Sequence, residues 1–486
     1  MAEAGVGEAD ERTLLKRRVA DTIRGRIETG VYRPGDKLPS IRELSRVLQV
    51  SVTTVIGAYG ILEIDGYVVI HHQSGVYVRL RQTDSSSQMR TNPPATPVPM
   101  TLEASVDRAI KPSTRTRLHF LSSGAPNIDL LPTRSINAAM KKVALRHGDI
   151  HNGYFENRGF RELREQIAQL AMLRGHELDP TEIVITNGCT EALMLALQTV
   201  VRPGQIVAVE SPAYTGLLNA MKSQGLTILE IPSYPDQGMD VAALEALLSQ
   251  HPIAAVFATP NFGNPLGSQI PLSARERLVE LLAEREIPLI EDDIYSDLSY
   301  SQRPIATCKS LDRNGLVLLC SSFSKTLCPG MRVGWVAAGR FDSQVLAHKT
   351  ATTFCTSPLC QIIISEFLRE HRYSRVVARA AEAYHRNVRH IAEHVRNSFP
   401  AGTYITEPAG GFLLWIQMPD YFNSRRLAEL SYAEGILFVQ GADHSAHALY
   451  GNCLRLSAAY WDKDVEEQVA RLGELASLAQ VGQATE

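Results

Sequence analysis

Beyond residue 118 the apolar residues fall into two alternating textures. Short runs rich in β-branched side chains (Ile183 to Thr186, Ile206 to Val209, Thr227 to Ile231, Ala254 to Ala258, Pro288 to Ile290 and Leu316 to Leu319) are separated by stretches with apolar residues at helical spacing. Runs that are apolar throughout predict strands covered on both faces, and helices between them predict a mainly parallel sheet. Ligands then belong at the carboxyl ends of the strands.

The amino-terminal part is punctuated differently. From Pro34 it runs PGDKLPSIRELSRVLQVSVTTVIGAYGILEIDGY. Ser40 and Glu43 form a capping box that opens a short helix ending near Gln49. Ser51 caps a second helix whose apolar positions Val52, Val55, Ile56, Tyr59 and Leu62 recur at helical spacing, and Gly66 stops it. Two helices joined by a tight turn predict a helix-turn-helix. Tyr67 to Ile70 and Val76 to Val78, around HHQSG, predict the two strands of a wing. From about Gln82 to Arg117 the chain is rich in Ser, Thr and Pro, a composition that buries too little apolar surface to fold, so a linker is expected. The alternative is that part of it packs as an ordered arm on the larger domain. The expected domains are therefore 12–81, 82–117 and 118–480.

Composition narrows the class. A chain of 486 residues, 44% apolar and 21% charged, can build two or three domains with real cores. Its longest apolar runs, such as Ala192 to Leu197, fall far short of the roughly 20 residues a membrane helix needs, and Met1 to Glu11 lacks the pattern of a signal peptide. The cytoplasm is the default expectation. Seven cysteines, with no CxxC pair, point neither to a disulfide framework nor to zinc. The net charge of −3 hides a local excess: residues 12–82 carry 12 Lys/Arg against 6 Asp/Glu. A basic face with Ser51, Thr53 and Thr54 exposed at the start of the second helix suits phosphate positioning and major-groove contact; a mildly basic solvated face is the alternative.

Four motifs in the larger region carry candidate chemistry. In ITNGCTEALMLAL a strand passes through Gly188 into a helix, so the N–H groups of Gly188, Cys189 and Thr190 make a phosphate cradle. TPNFGNPLG, after a buried strand, fixes a rigid turn that aims Asn264 at a ligand oxygen, although a plain turn needs no ligand. PLIEDDIYSDL ends an apolar strand on Glu291, Asp292 and Asp293, an uncomfortable place for charge without partners. Metal binding by the three acids is disfavoured because neighbouring strand residues alternate faces. In SSFSKTLCPGMRVGW, Lys325 follows Ser322 and Ser324 and precedes Arg332, an amine beside phosphate ligands. Ser322 to Lys325 also satisfies the S-x-x-K of penicillin-binding proteins and β-lactamases, but neither SDN nor KTG follows. Together the motifs offer what pyridoxal 5'-phosphate (PLP) requires: an amine for Schiff-base formation, an anion for the ring nitrogen, and donors for the 3'-oxygen and the phosphate.

Two family resemblances rest on these residues. Pro34 to Gly66 resembles the GntR-type winged helix and implies DNA binding, with Arg42, Ser51, Thr53 and Thr54 as the contacts. It departs from that pattern at Val52, where the family usually has Arg. Phe120 to about Leu475 resembles the fold-type I aminotransferases. That resemblance implies Lys325 as the Schiff-base lysine, Asp292 as partner of the ring nitrogen, and Asn264 and Tyr295 on the 3'-oxygen. It also implies Tyr214 stacked on the ring, with Gly188, Cys189, Thr190, Ser322, Ser324 and Arg332 around the phosphate. Tyr154 would reach the phosphate of a neighbouring subunit, and Arg455 would hold a substrate α-carboxylate.

The fusion of the two resembles the MocR family of bacterial regulators. The implied fold is α/β, a winged helix-turn-helix joined to an aminotransferase-like domain with a mainly parallel sheet and a small α/β carboxy-terminal domain. The implied function is regulation of transcription by a head-to-tail homodimer that binds double-stranded DNA and senses PLP or its adduct with an amino compound. An active aminotransferase with an accessory DNA-binding module is the alternative, and no metal is expected.

Overall fold

The computed structural model describes residues 16–27, 31–32, 36–64, 67–71, 75–78, 93–100, 120–146, 153–175, 177–301, 305–370 and 373–481. Two compact units separate between Gln88 and Met89.

In the first unit, helix α1 covers residues 16–27, followed by α2 (Ile41–Leu48) and α3 (Val52–Ile64). Ser40 caps α2 by accepting the Glu43 N–H, and Gln49 leaves the helix in the left-handed region at φ 52°. Strands β1 (Val68–His71) and β2 (Gly75–Val78) pair antiparallel, with Val68 opposite Val78. They match the expected wing; Gly66 and the middle of HHQSG, like Pro34, lie outside the described residues. The core joins Val19, Ile23, Leu38, Leu44, Val55, Tyr59, Leu62, Val68 and Val76. Tyr59 ties α3 to the segment just before α2, its hydroxyl donating to the Pro39 carbonyl at 2.6 Å.

This arrangement corrects two expectations. Val52 and Ile56 do not join the buried stripe: they are 45% and 49% exposed, whereas Val55, Ala58, Tyr59 and Leu62 are buried. At about 100° per residue those four centre one stripe, and Val52, Thr53 and Ile56 fall on its outer flank. Thr54, expected to be exposed, is only 7% exposed. It lies one turn before Ala58 on the inward side, so its N–H and hydroxyl are drawn to the Ser51 hydroxyl at 3.1 and 2.8 Å.

Of the expected linker, residues 93–100 are described; there β3 (Val98–Pro99) pairs antiparallel with the edge of the large sheet and Met100 is buried. Helices α4 (Thr133–Arg146) and α5 (Arg161–Leu173) follow, and then the strands that the apolar runs predict. They are β4 (Ile183–Thr186), β5 (Ile206–Ser211), β6 (Thr227–Tyr234), β8 (Ile253–Ala258), β9 (Leu289–Asp292) and β10 (Val317–Ser322), with a short β7 (Gly238–Met239) on β6. One more strand, β11 (Gly334–Ala337), runs against both β10 and β4. The order is β3-β6-β5-β8-β9-β10-β11-β4, parallel from β6 to β10.

Alternate residues enter opposite cores. Ile183, Ile185 and Leu319 pack with α4, α5 and α11 (Pro358–Arg369), while Val184, Leu318 and Cys320 pack with α6 (Cys189–Val200) and α7 (Thr215–Ser223). Helices α8 (Val241–Leu248) and α9 (Leu272–Glu284) complete the cover, and α10 (Asp342–Thr352) packs on α6. After the long α12 (Tyr373–Ser398), strands β12 (Tyr404–Ile405), β13 (Leu413–Gln417), β15 (Cys453–Ser457) and β14 (Val439–Gln440) form an antiparallel sheet with α13 (Ser424–Ala433) and α14 (Lys463–Val481). Among the described residues no single helix is long and apolar enough to cross a membrane.

Candidate functional site

The carboxyl ends of β4, β9 and β10 meet at one place. Beyond β10 the chain turns, and the Lys325 amine donates to the Gly124 carbonyl at 2.6 Å and lies 5.6 Å from the centre of the Tyr295 ring. Burial and the positive Arg455 push the amine down to about 8, against the opposing pull of Asp292.

Asp292 ends β9 on the face of Ile290 and Cys320, so it points toward α6. Its Oδ1 accepts from the Cys189 thiol at 3.6 Å and the Ile294 N–H at 3.2 Å, and burial raises its carboxyl to about 7. The adjacent acids have other occupations. Glu291 points to the opposite face and accepts the N–H groups of Cys308 and Lys309, both at 2.8 Å. Asp293 accepts from Asn261 at 3.1 Å and Ser296 at 2.7 Å, and faces Arg174 at 3.8 Å. These contacts hold three neighbouring carboxylates apart, and among the described residues no group of His, Cys, Asp or Glu is arranged to hold a metal ion.

Arg455, in β15, is buried as well. Its guanidinium donates to the Ser122 carbonyl and, at 3.4 Å, to Asn264 Oδ1, while its buried Nε has no acceptor. Among the described residues no carboxylate pairs with it. Desolvation lowers its pKa from the usual value. Lys325 and Arg455 converge on Gly124, where an added Cβ would sit 4.0 Å from Nζ and 3.9 Å from Nη1. Tyr295 is buried and meets Phe412 edge-on at 5.8 Å; burial raises its hydroxyl and that of Tyr214. Gly216 lets the Tyr214 ring fold back over the helix start, a space that a Cβ would fill.

A second cluster of side chains is built around the start of α6. Gly188 caps that helix at φ 81°, and Cys189 and Thr190 open it, Cys189 buried and Thr190 exposed. A Cβ on Gly188 would run into the Arg332 guanidinium, and one on Gly334 would lie 2.8 Å from the Cys189 nitrogen. Arg332 donates to the Ser324 hydroxyl at 3.3 Å and the Asn187 carbonyl at 3.4 Å, and the Ser322 hydroxyl accepts from the Ser324 N–H at 3.3 Å. Glu191 anchors the helix start by accepting the Asn187 N–H and pairing with the buried Lys349 at 3.1 Å. Tyr154 stands apart, 87% exposed and edge-on to Phe354 at 5.6 Å.

Several contributors carry no side-chain signal in the sequence. Ser122, Gly124 and Asn187 act through carbonyls, and the Ser-Ser-Gly-Ala-Pro run at 122–126 is the only hint of the first two. Asn261 and His444 are also additions. Burial and Arg455 push His444 down to about 3; its Nδ1 bonds the Ala213 carbonyl at 2.8 Å, fixing the residue before Tyr214. On the first unit, Arg42, Ser51 and Thr53 are exposed, with the hydroxyls of Ser51 and Thr53 2.8 Å apart.

Residues 120–472 match the family described as aminotransferase class I and II, and residues 15–78 match bacterial regulatory proteins of the gntR family. The uncharacterized HTH-type transcriptional regulator YjiR of Escherichia coli (strain K12) is 37% identical over 94% of this chain and 97% of its own. This chain belongs to the MocR-type regulators. The structure of LysN, the alpha-aminoadipate aminotransferase of Thermus thermophilus complexed with N-(5'-phosphopyridoxyl)-L-leucine, superposes on 74% of the MocR-type chain and 92% of its own. The TM-score is 0.69 at 28% identity. Pyrococcus horikoshii kynurenine aminotransferase in complex with PMP gives a TM-score of 0.70, 28% identity and coverage of 77% and 98%. The cofactor of the MocR-type chain is pyridoxal 5'-phosphate. The residues present fit it: a buried carboxylate and a buried guanidinium that have not neutralised each other flank a lysine of depressed pKa, beside a glycine-built helix start.

Proposed function

We propose that this chain regulates transcription by binding double-stranded DNA through its winged helix, and that its aminotransferase-like domain responds to PLP or to an amino compound that reaches it. The observation that carries the reading is one chain's pairing of a GntR-type helix-turn-helix with a site that keeps Lys325, Asp292 and Arg455 together. The full-length likeness to an HTH-type regulator supports it.

When bound, PLP supplies an aldehyde that captures amines and a cationic ring that draws electrons from the captured carbon. Lys325 would present its amine to that aldehyde and hold or release a proton nearby, a task favoured by its depressed pKa. Asp292, buried and with no cation bonded to it among the described residues, would pair with the protonated ring nitrogen. Asn264 and Tyr295 would bind the 3'-oxygen and Tyr214 would cover one ring face. Gly188, Cys189, Thr190, Ser322, Ser324 and Arg332 would hold the phosphate. Arg455 would hold the effector's carboxylate. Exposed Tyr154 would reach the phosphate site of a second copy in a head-to-tail homodimer. Arg42, Ser51 and Thr53 would contact the duplex, with Thr54 left to the helix cap. The expected 12–81, 82–117 and 118–480 division remains part of this proposal, as does a cytoplasmic location.

An active aminotransferase acting on an amino acid is the second reading, which the same Arg455, lacking a carboxylate of its own among the described residues, supports equally. Mixing the PLP-loaded protein with a panel of amino acids and following the cofactor absorbance separates the two. The regulator reading expects spectral change with at most slow turnover when a keto acid is added. Rapid multiple turnover would favour the enzyme.

A further inference from the structure

Helix α3 contains no Lys, Arg, Asn or Gln; its one charged residue is Glu63, at the far end. At the end nearer Ser51 its outward side is Val52, Thr53 and Ile56, with both apolar residues close to half exposed. The hydroxyls there are turned on one another, since Ser51 Oγ lies 2.8 Å from Thr53 Oγ1 and from Thr54 Oγ1. In the major groove guanine is read by Arg or Lys and adenine by Asn or Gln, whereas the apolar feature of the base edges is the thymine C5-methyl. A helix with these outward residues has no bidentate group for the first two and two apolar groups for the third. Arg42 and Arg46, exposed on α2, provide the positive charge that a duplex backbone needs.

We propose that α3 reads thymine methyl groups through Val52 and Ile56, so that base preference comes from apolar contact while phosphate contacts supply most of the affinity. This rests on the DNA-binding reading above. Residues four apart on a helix stand about 6 Å from one another. Against a rise of about 3.4 Å per base, the two methyls belong to thymines within two or three successive base pairs.

The test uses the full-length, PLP-loaded protein to select from random duplexes of about two helical turns, then compares the selected duplexes with thymine or with uracil at the enriched positions. Uracil pairs identically and lacks the methyl. The proposal expects thymine to be enriched and affinity to fall about four-fold for each methyl removed. It also expects Val52→Ala/Ile56→Ala to bind both duplexes alike while melting at the same temperature as the parent. Equal affinity of the parent for thymine and uracil duplexes, or enrichment confined to G·C pairs, overturns the proposal and leaves the DNA-binding reading standing. Retention of no duplex at low salt overturns both.

Discussion

Lys325 carries its amine into a site where burial and the Arg455 guanidinium both oppose protonation, and Asp292 offsets them only in part. The folded protein therefore holds a substantial neutral fraction near pH 8, against an ordinary value of 10.5. Capture of an aldehyde requires the neutral amine, so the rate at which apo protein takes up PLP is expected to climb from about pH 6 and level off above about pH 8. Stopped-flow absorbance measures this, and a rate still rising near pH ~10 would mean that the amine keeps its ordinary value. The residue scale also marks where sequence reading stops. Lys325, Asp292 and Arg455 are chemically conspicuous, but their carbonyl partners at Ser122, Gly124 and Asn187 are backbone atoms that any residue carries. Thr54 escapes the reading because a threonine two or three residues into a helix can face either way until its neighbours pack.

At the scale of elements, the proposed phosphate site depends on a single turn between β4 and α6. Gly188 holds φ 81° and ψ 173°, a region essentially confined to glycine that costs other residues about 1–3 kcal/mol, and its missing Cβ leaves room for Arg332. Gly188→Ala is expected to weaken PLP binding at least ten-fold, as read by spectroscopic titration, because the side chain displaces Arg332 and tilts the helix start. Unchanged affinity would show that the cradle lies elsewhere. The strands behind this turn are legible because a sheet covered on both faces leaves uninterrupted apolar runs, as from Ile183 to Thr186. Less legible are the reversal of β11, whose four residues read like any other short strand, and the edge pairing of Val98 and Pro99 within a Pro-rich stretch. The same limit applies to α3: spacing alone places Val52 and Ile56 on its buried stripe, and only the packing of α1, α2 and the wing sets which flank is left outside.

At the scale of the whole molecule, a cofactor domain influences a DNA-binding domain only if a ligand binds two states of the chain with different affinity. An amine or PLP that binds both states equally shifts nothing, however tightly it is held. Coupling of ordinary size changes affinity about 5- to 150-fold. Lys325 is where such a difference can originate, because its amine has either the Gly124 carbonyl or a bound aldehyde as partner. The most direct measurement is the affinity of the full-length protein and of Lys325→Ala for one selected duplex, with and without PLP. PLP is expected to change the affinity of the parent at least five-fold and to leave Lys325→Ala unmoved; equal affinity of the parent in the two conditions, or an equal response of the variant, would rule out sensing through Lys325.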